Sequence, residues 1–308
     1  MNTFGEKLKV SIFGESHGEA VGIVIDGLPP GFMPDMDAVR FQMRRRAPGQ
    51  SPETTARREA DEPEIVSGLF NGKATGAPLC CLFRNTDTKS GDYQPWLPRP
   101  GHADLTAHIK YKGFADYRGG GHFSGRLTAP LVFAGALARQ LLSGVTIDAA
   151  AVRPSTNAIL NAKKEGDSLG GQITCEVSGL PAGLGEPFFG SAESRLAALL
   201  FSIPAVKALE FENGITLSTE RGSVSNTYPY AVLGGITTGK TLIFSVYLKP
   251  TPSIATEQDT IDLRTGLPAK LTVRGRHDPC IVPRAVPVVE AVTALGLLDL
   301  WLLSGMPL

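Results

Sequence analysis

The run "VPVVEAVTALGLLDLWLL", Val286 to Leu303, is the most apolar stretch near the end of the chain and limits what the chain can fold into. A helix that is apolar nearly all round must be covered on every side. Glu290 and Asp299 interrupt the run, and it is short for a membrane span, so a buried helix is expected and no anchor. The opening "MNTFGEKLKV" carries no apolar signal segment. The rest of the chain supplies material to cover that helix. "VSIFGES" and "GIVIDGLPPG" read as short strands flanking a glycine-rich turn, and "APLCCLFRN", "GQITCEVSGLP" and "TLIFSVYLKP" as further strands. "DMDAVRFQMRRR" reads as a helix, with Asp35 or Asp37 at its N-cap and Val39 and Met43 at i,i+4. "LTAPLVFAGALARQLL", with Pro130 in its first turn, and "AESRLAALLFS" are the other helices. Hairpin-like strands mixed with separate helices, without a βαβ rhythm, predict an α+β fold. No repeat or linker divides the sequence, so one domain over 1–308 is expected.

Net charge is zero and the pI is near 7, which argues against a general nucleic-acid binder, since that needs a basic field. An anionic small molecule needs only a local basic pocket. Cys80, Cys81, Cys175 and Cys280 have no C-x-x-C spacing, so reduced thiols in a cytoplasmic protein are expected, with no zinc site and no disulfide framework.

Five stretches carry chemistry. "FGESHG" holds His17 between glycines at a strand-to-turn segment, where a side chain titrating near neutrality suits proton transfer. "RPGHADL" places Arg99 and His102 around a Pro-Gly bend, both able to donate to an anion. In "DYRGGGHFSGRLT", three glycines leave backbone N–H groups free for a phosphate, with Arg118 and Arg126 alongside and a helix start following. It is not a P-loop, because Arg126-Leu127 stands where Lys-Ser/Thr is required. "KPTPSI", Lys249 to Ile254, offers a cation and two hydroxyls at a strand end. "TVRGRHDPCIVPRAVPVVEA" gathers Arg274, Arg276, His277, Asp278 and Arg284 on a backbone restricted by Gly275 and three prolines. The helix dipole accounts for one or two of Arg44, Arg45 and Arg46, not for all three.

Each stretch also has a plain reading as a solvated loop or turn. Taken in order, together with "PGQS", "GLPAGLGEP", "SIPAVKALEF" and "LGGITTGK", they resemble the landmarks of the chorismate synthase family from about Phe4 to about Leu303. That resemblance implies a layered sandwich of antiparallel sheets and helices, and a homotetramer. It implies conversion of 5-enolpyruvylshikimate 3-phosphate to chorismate and phosphate by 1,4-elimination, with reduced FMN. By the same resemblance His17 protonates the reduced flavin, His102 assists departure of the phosphate, and Asp278 acts with the flavin to remove the ring proton. Arg46, Arg99 and Arg126 would bind the anionic substrate. His122, Phe123, Ser124, Pro204, Ala205, Gly234, Lys249, Pro250, Thr251, Pro252, Ser253 and Arg276 fall at flavin-binding positions.

The chain departs from the family pattern at His122 and Phe123, which replace an arginine and a serine, and at Pro52, where a cation is usual. "NTYPYAVLGGI" replaces an Asn-rich approach, and the chain is shorter between "LARQLL" and "KKEGDSLGG". Two other readings stay open. One is a flavin- or ligand-binding relative with weakened or altered activity. The other is a metal-dependent phosphohydrolase built on the His102/Asp104 and His277/Asp278 pairs. The source of reducing equivalents, NADPH or an external donor, is also open; no Rossmann fingerprint is visible.

Overall fold

The structure, a computed structural model, describes residues 2–49, 59–88, 91, 93–273 and 278–307. Pro52, Arg274, Arg276 and His277 lie outside the described residues.

Two larger antiparallel sheets form, beside three two-stranded ones. The first has the order Thr3–Phe4, Lys9–Gly14, Ala20–Asp26, Leu79–Arg84, Glu64–Ser67. The second has the order Val206–Phe211, Leu242–Leu248, Gly171–Ser178, Thr146–Arg153. Alternation dictates which face is covered: Leu79, Cys81 and Phe83 are buried in the first sheet, and Ile173, Cys175, Val177, Phe244 and Val246 in the second. The strands at Thr146–Arg153 and Val206–Phe211 are absent from the sequence reading. Their alternation is weak because much of each lies at a sheet edge.

Helices fill the space between the sheets. Helix α1 (Met36–Arg46) is capped by Asp35, whose carboxylate accepts from the N–H groups of Asp37 and Ala38. Helix α2 (Asp104–Lys110) begins inside the stretch read as a loop. Helix α3 (Thr128–Leu141) packs on the first sheet and on the C-terminal helix Val282–Ser304. Helix α4 (Thr156–Glu165) follows the edge strand, and α5 (Ala192–Leu200) packs on the C-terminal helix. That helix in turn covers the second sheet.

At 23 residues, with a mean hydropathy of 1.8 over its most apolar 18, the C-terminal helix is long and apolar enough to cross a membrane, yet 83% of that apolar window is buried inside the protein. Its two acidic residues explain how a helix of this kind is locked in place. Asp299, 1% exposed, accepts from the backbone N–H groups of Glu6, Lys7 and Leu8 at 2.8–3.1 Å and ties down the N-terminal strands. Glu290 accepts from Arg45 of α1, Arg139 of α3 and the N–H of Ala149 in the second sheet. Arg45 is thus a structural member of the arginine run, Arg46 enters the site below, and Arg44 is exposed.

Candidate active site

A cavity of about 980 Å³ opens beside the helical layer, and loops from distant parts of the chain line it. Arg46, Arg99, His102, His122, Phe123, Ser124, Arg126, Pro204, Ala205, Lys249, Thr251, Pro252, Ser253 and Asp278 all contribute to its wall. Of the other site residues, His17 stands one step behind the wall and Pro250 is exposed in its loop. Gly234 lies in the tight turn between Val232–Leu233 and Ile236–Thr237, away from the lining.

The arginine end is a buried triad. Arg46 donates from Nη1 to Asp61 Oδ2 at 2.7 Å, and Arg126 donates to Asp61 Oδ1. Further donors hold the pair in place: Arg46 reaches Thr128 Oγ1 and the Gly125 carbonyl, and Arg126 reaches Asn85 Oδ1 and the Arg84 carbonyl. Burial by itself would raise the Asp61 carboxyl, but the two guanidiniums overcome it and hold it below the usual range. Burial depresses Arg46 to about 10, still far above neutrality, so two cations face one anion. The group therefore carries excess positive charge beside the cavity, as a site for a multiply anionic ligand requires.

The second cluster joins two stretches that look separate in the sequence. Arg99 makes a two-pronged bond to Asp104, from Nε at 2.7 Å and from Nη2 at 2.9 Å, and its Nη1 donates to Ser253 Oγ at 3.0 Å. Lys249 donates to the Gly101 carbonyl, which seats the "KPTPSI" loop on the "RPGHAD" bend. His102 Nδ1 lies 2.6 Å from Asp104 Oδ1. Burial, reinforced by Arg99 and Lys249, pushes His102 below the ordinary histidine value despite Asp104.

The glycine run has a different task from a phosphate cradle. Gly119, Gly120 and Gly121 have φ of 62°, 85° and 52°, and the Gly120 N–H donates to the Tyr117 carbonyl. A Cβ on Gly119 would sit 2.4 Å from His17 Cδ2, and one on Gly120 would sit 3.0 Å from His102 Cε1. The run is a spacer against which both histidines pack. Arg118 pairs with Asp116 in the same loop. His122 Nδ1 donates to the Gly14 carbonyl at 2.9 Å, with Nε2 3.2 Å from Asn2 Oδ1, anchoring the run to the first sheet. Ser124 caps the turn that follows by accepting from the Arg126 N–H. Phe123 is 37% exposed and lies 6.2 Å from the Tyr111 ring.

Asp278 is held by Arg284 Nη1 at 2.5 Å, and Arg284 also donates to the Arg46 carbonyl at 3.1 Å. Arg284 thereby links the carboxylate to the triad. Ala205 has φ +76°, a left-handed backbone rare for a residue with a Cβ, and its carbonyl accepts from the Lys249 N–H. Tyr93 bridges His17 and the second cluster: its ring meets His17 edge-on at 5.4 Å and lies 5.2 Å below the Arg99 guanidinium. Asp61, Asn85 and Tyr93 receive no role from sequence reasoning, and Arg284 only as a member of the charge cluster around Asp278. Asp61 sits in a charged run that looks solvated, and only the fold brings Arg46 and Arg126 to it.

Among the described residues the buried hydroxyls Ser16 Oγ and Thr251 Oγ1 have no hydrogen-bond partner, and both residues line the cavity. Orphaned hydroxyls of this kind call for a polar ligand. Thr251 beside Lys249 fits a phosphate, and the apolar wall of Leu131, Leu199, Ile203 and Val288 fits a flat ring system, so the residues present suit a phosphorylated flavin together with an anionic substrate. Among the described residues no group of three or more His, Cys, Asp or Glu is placed to hold a metal. Asp104 is engaged by Arg99 and His102, and burial pushes the Cys81 thiol up to about 12, which leaves it inert.

Fold and site together define an α+β enzyme with a cation-rich cavity of small-molecule size. The chorismate synthase family model matches residues 8–156 and 145–302. A chorismate synthase of Dehalococcoides mccartyi is 42% identical over 355 aligned positions, covering 99% of this chain and 97% of the relative. One of Chitinophaga pinensis is 44% identical over 331 positions with the same coverage. A solved structure titled as a crystal structure of chorismate synthase superposes with a TM-score of 0.72 over 97% of this chain and 93% of that one, at 23% identity. The chain belongs to the chorismate synthase family, a family of lyases in aromatic amino acid biosynthesis.

Proposed function

We propose that the chain uses this cavity to eliminate phosphate from 5-enolpyruvylshikimate 3-phosphate, forming chorismate with FMN bound in its reduced state. The observation that carries the reading is the convergence of Arg46, Arg126, Arg99, Lys249, His102 and Asp278 on one cavity that also holds two orphaned hydroxyls. The arginine triad and Arg99 bind the substrate's anionic groups, and Lys249 and Thr251 hold the flavin phosphate. Bound reduced flavin supplies electron density to the electron-poor ring and recovers it. Asp278, oriented by Arg284, takes the ring proton. His102 donates to the departing phosphate oxygen, and the positive field of Arg99 and Lys249 stabilises the charge that develops there. His17, wedged between Gly119 and Tyr93, holds a proton on the flavin side. Arg276 belongs to the same reading through family position alone.

The whole chain acts as one domain, assembles as a homotetramer and works in the cytoplasm, an environment compatible with its four free cysteines.

An anaerobic assay with reduced FMN and 5-enolpyruvylshikimate 3-phosphate tests this, following chorismate by absorbance and phosphate release in parallel. Equal yields of the two products are expected. Flavin binding without either product would overturn the reading. A weakened relative is the second reading, because both ring nitrogens of His122 face protein oxygens instead of a ligand. That reading predicts that His122→Arg tightens FMN at least tenfold in a fluorescence titration.

A further inference from the structure

The structure assigns to Asp104 the role of setting the tautomer of His102, so that the resting site offers an acceptor at Nε2 and gains its donor only when a phosphate arrives. We infer this as a positioning role, and it rests on His102 facing the leaving phosphate as read above. An ionised carboxylate can only accept, so the 2.6 Å contact between His102 Nδ1 and Asp104 Oδ1 places the hydrogen on Nδ1. A neutral imidazole has a single N–H, which leaves Nε2 as an acceptor, with Arg99 Nη2 3.3 Å from it in the resting site. Asp104 cannot turn away to release the ring, because Arg99 binds both its oxygens from Nε and Nη2 and its Oδ2 also accepts from the Arg99 backbone N–H at 3.0 Å.

The charged groups facing the ring are Asp104, Arg99 and, from the other loop, Lys249. Burial and the two cations keep the ring neutral until a phosphate offsets their charge. With phosphate in place a proton is taken up at Nε2, giving an imidazolium that spans Asp104 and the phosphate. As the carbon–oxygen bond breaks, its electron pair stays on the phosphate oxygen and the Nε2 proton passes to that oxygen. The imidazole returns to its Nδ1–H form, and Asp104 stays ionised throughout.

Histidine side-chain ¹⁵N shifts of the full-length, ligand-free protein test the assignment, with the His102 signal identified by its loss in His102→Gln. The parent is expected in the Nδ1–H form. In Asp104→Asn the carboxamide oxygen serves Arg99 and its NH₂ group faces Nδ1, so the Nε2–H form is expected, and Asp104→Glu restores the parent form. Titration with inorganic phosphate at pH 7.5, in two buffers of different ionisation enthalpy, should show uptake of about one proton by the parent and none by Asp104→Asn. Turnover of Asp104→Asn should fall by about 10²- to 10⁴-fold, mostly in kcat, with an altered pH profile.

An Nε2–H form in the parent overturns the proposal, as does an Asp104→Asn protein that keeps the Nδ1–H form and the parent's proton uptake. If Asp104→Asn does not fold, the parent's tautomer and proton uptake decide alone. The ¹⁵N readout needs no turnover, so failure to form chorismate would count against the proposed function and leave this assignment standing or falling by itself.

Discussion

His17 and His102 pack against adjacent members of a three-residue glycine run, Gly119 and Gly120, and the run tolerates no side chain. At Gly119 a Cβ would collide with the His17 ring at 2.4–2.5 Å, and the left-handed φ of 62° adds strain. Gly119→Ala is therefore expected to lower kcat by at least ~100-fold through displacement of His17, the order of an acid–base contribution. A steady-state assay checks this, with unfolding measured alongside. Ala205 is the opposite case: a Cβ is present where φ is +76°, which costs about 1 kcal/mol or more. Ala205→Gly should relieve part of that cost and leave stability unchanged or raised by up to ~1 kcal/mol in urea denaturation. A clear loss of stability would show that the strain argument is wrong. Asp61 is the most exposed to failure, since it neutralises two buried guanidiniums. Replacing it with Asn should destabilise by about 3–5 kcal/mol, because the cations stay buried without their counter-charge.

Among the elements, the contact between α3 and the C-terminal helix is the closest. A Cβ on Gly135 would lie 2.4 Å from both Cα and Cβ of Ala291. Gly135→Ala adds about 1 kcal/mol of helix propensity, but overpacking of a tight contact costs about 1–3 kcal/mol and the backbones must separate. Net destabilisation is expected in thermal unfolding; a stabilised variant would mean that the helices slide apart freely. Most helices and central strands were legible in the sequence, because apolar periodicity reports burial directly. The edge strand Thr146–Arg153 and helix α2 were not. An edge strand exposes residues on both faces, and α2 starts in a Pro-Gly bend without a side-chain cap. The stretches that bear the site were legible as chemistry, but the packing of two histidines against the glycine run was not.

For the whole molecule, buried acidic groups set the response to pH. Asp61 and Asp104 titrate below the ordinary 3.8, so the stability they contribute is present above that value and lost as pH falls through their folded values. His102 titrates below 6.5, so between its folded value and 6.5 the unfolded chain binds more protons, and stability also falls as pH drops. Both effects have the same sign. The urea midpoint should be lower at pH 5 than at pH 7.5 and fall further toward pH 4; an unchanged midpoint across that range would contradict the assigned shifts.

The apolar run from Val286 to Leu303, the alternating strands and the ordered stretches around His17, His102, Arg126, Lys249 and Asp278 were enough to determine fold class and family. Those properties depend on local pattern and residue type, which a linear sequence carries. Tertiary structure alone decided that Asp61 bridges Arg46 and Arg126, that Asp104 turns His102 and that Arg284 holds Asp278. It also decided that Glu290 and Asp299 lock the buried helix to both sheets. Each of these depends on short-range geometry, and partners as far apart as Lys7 and Asp299 meet only when the chain is folded.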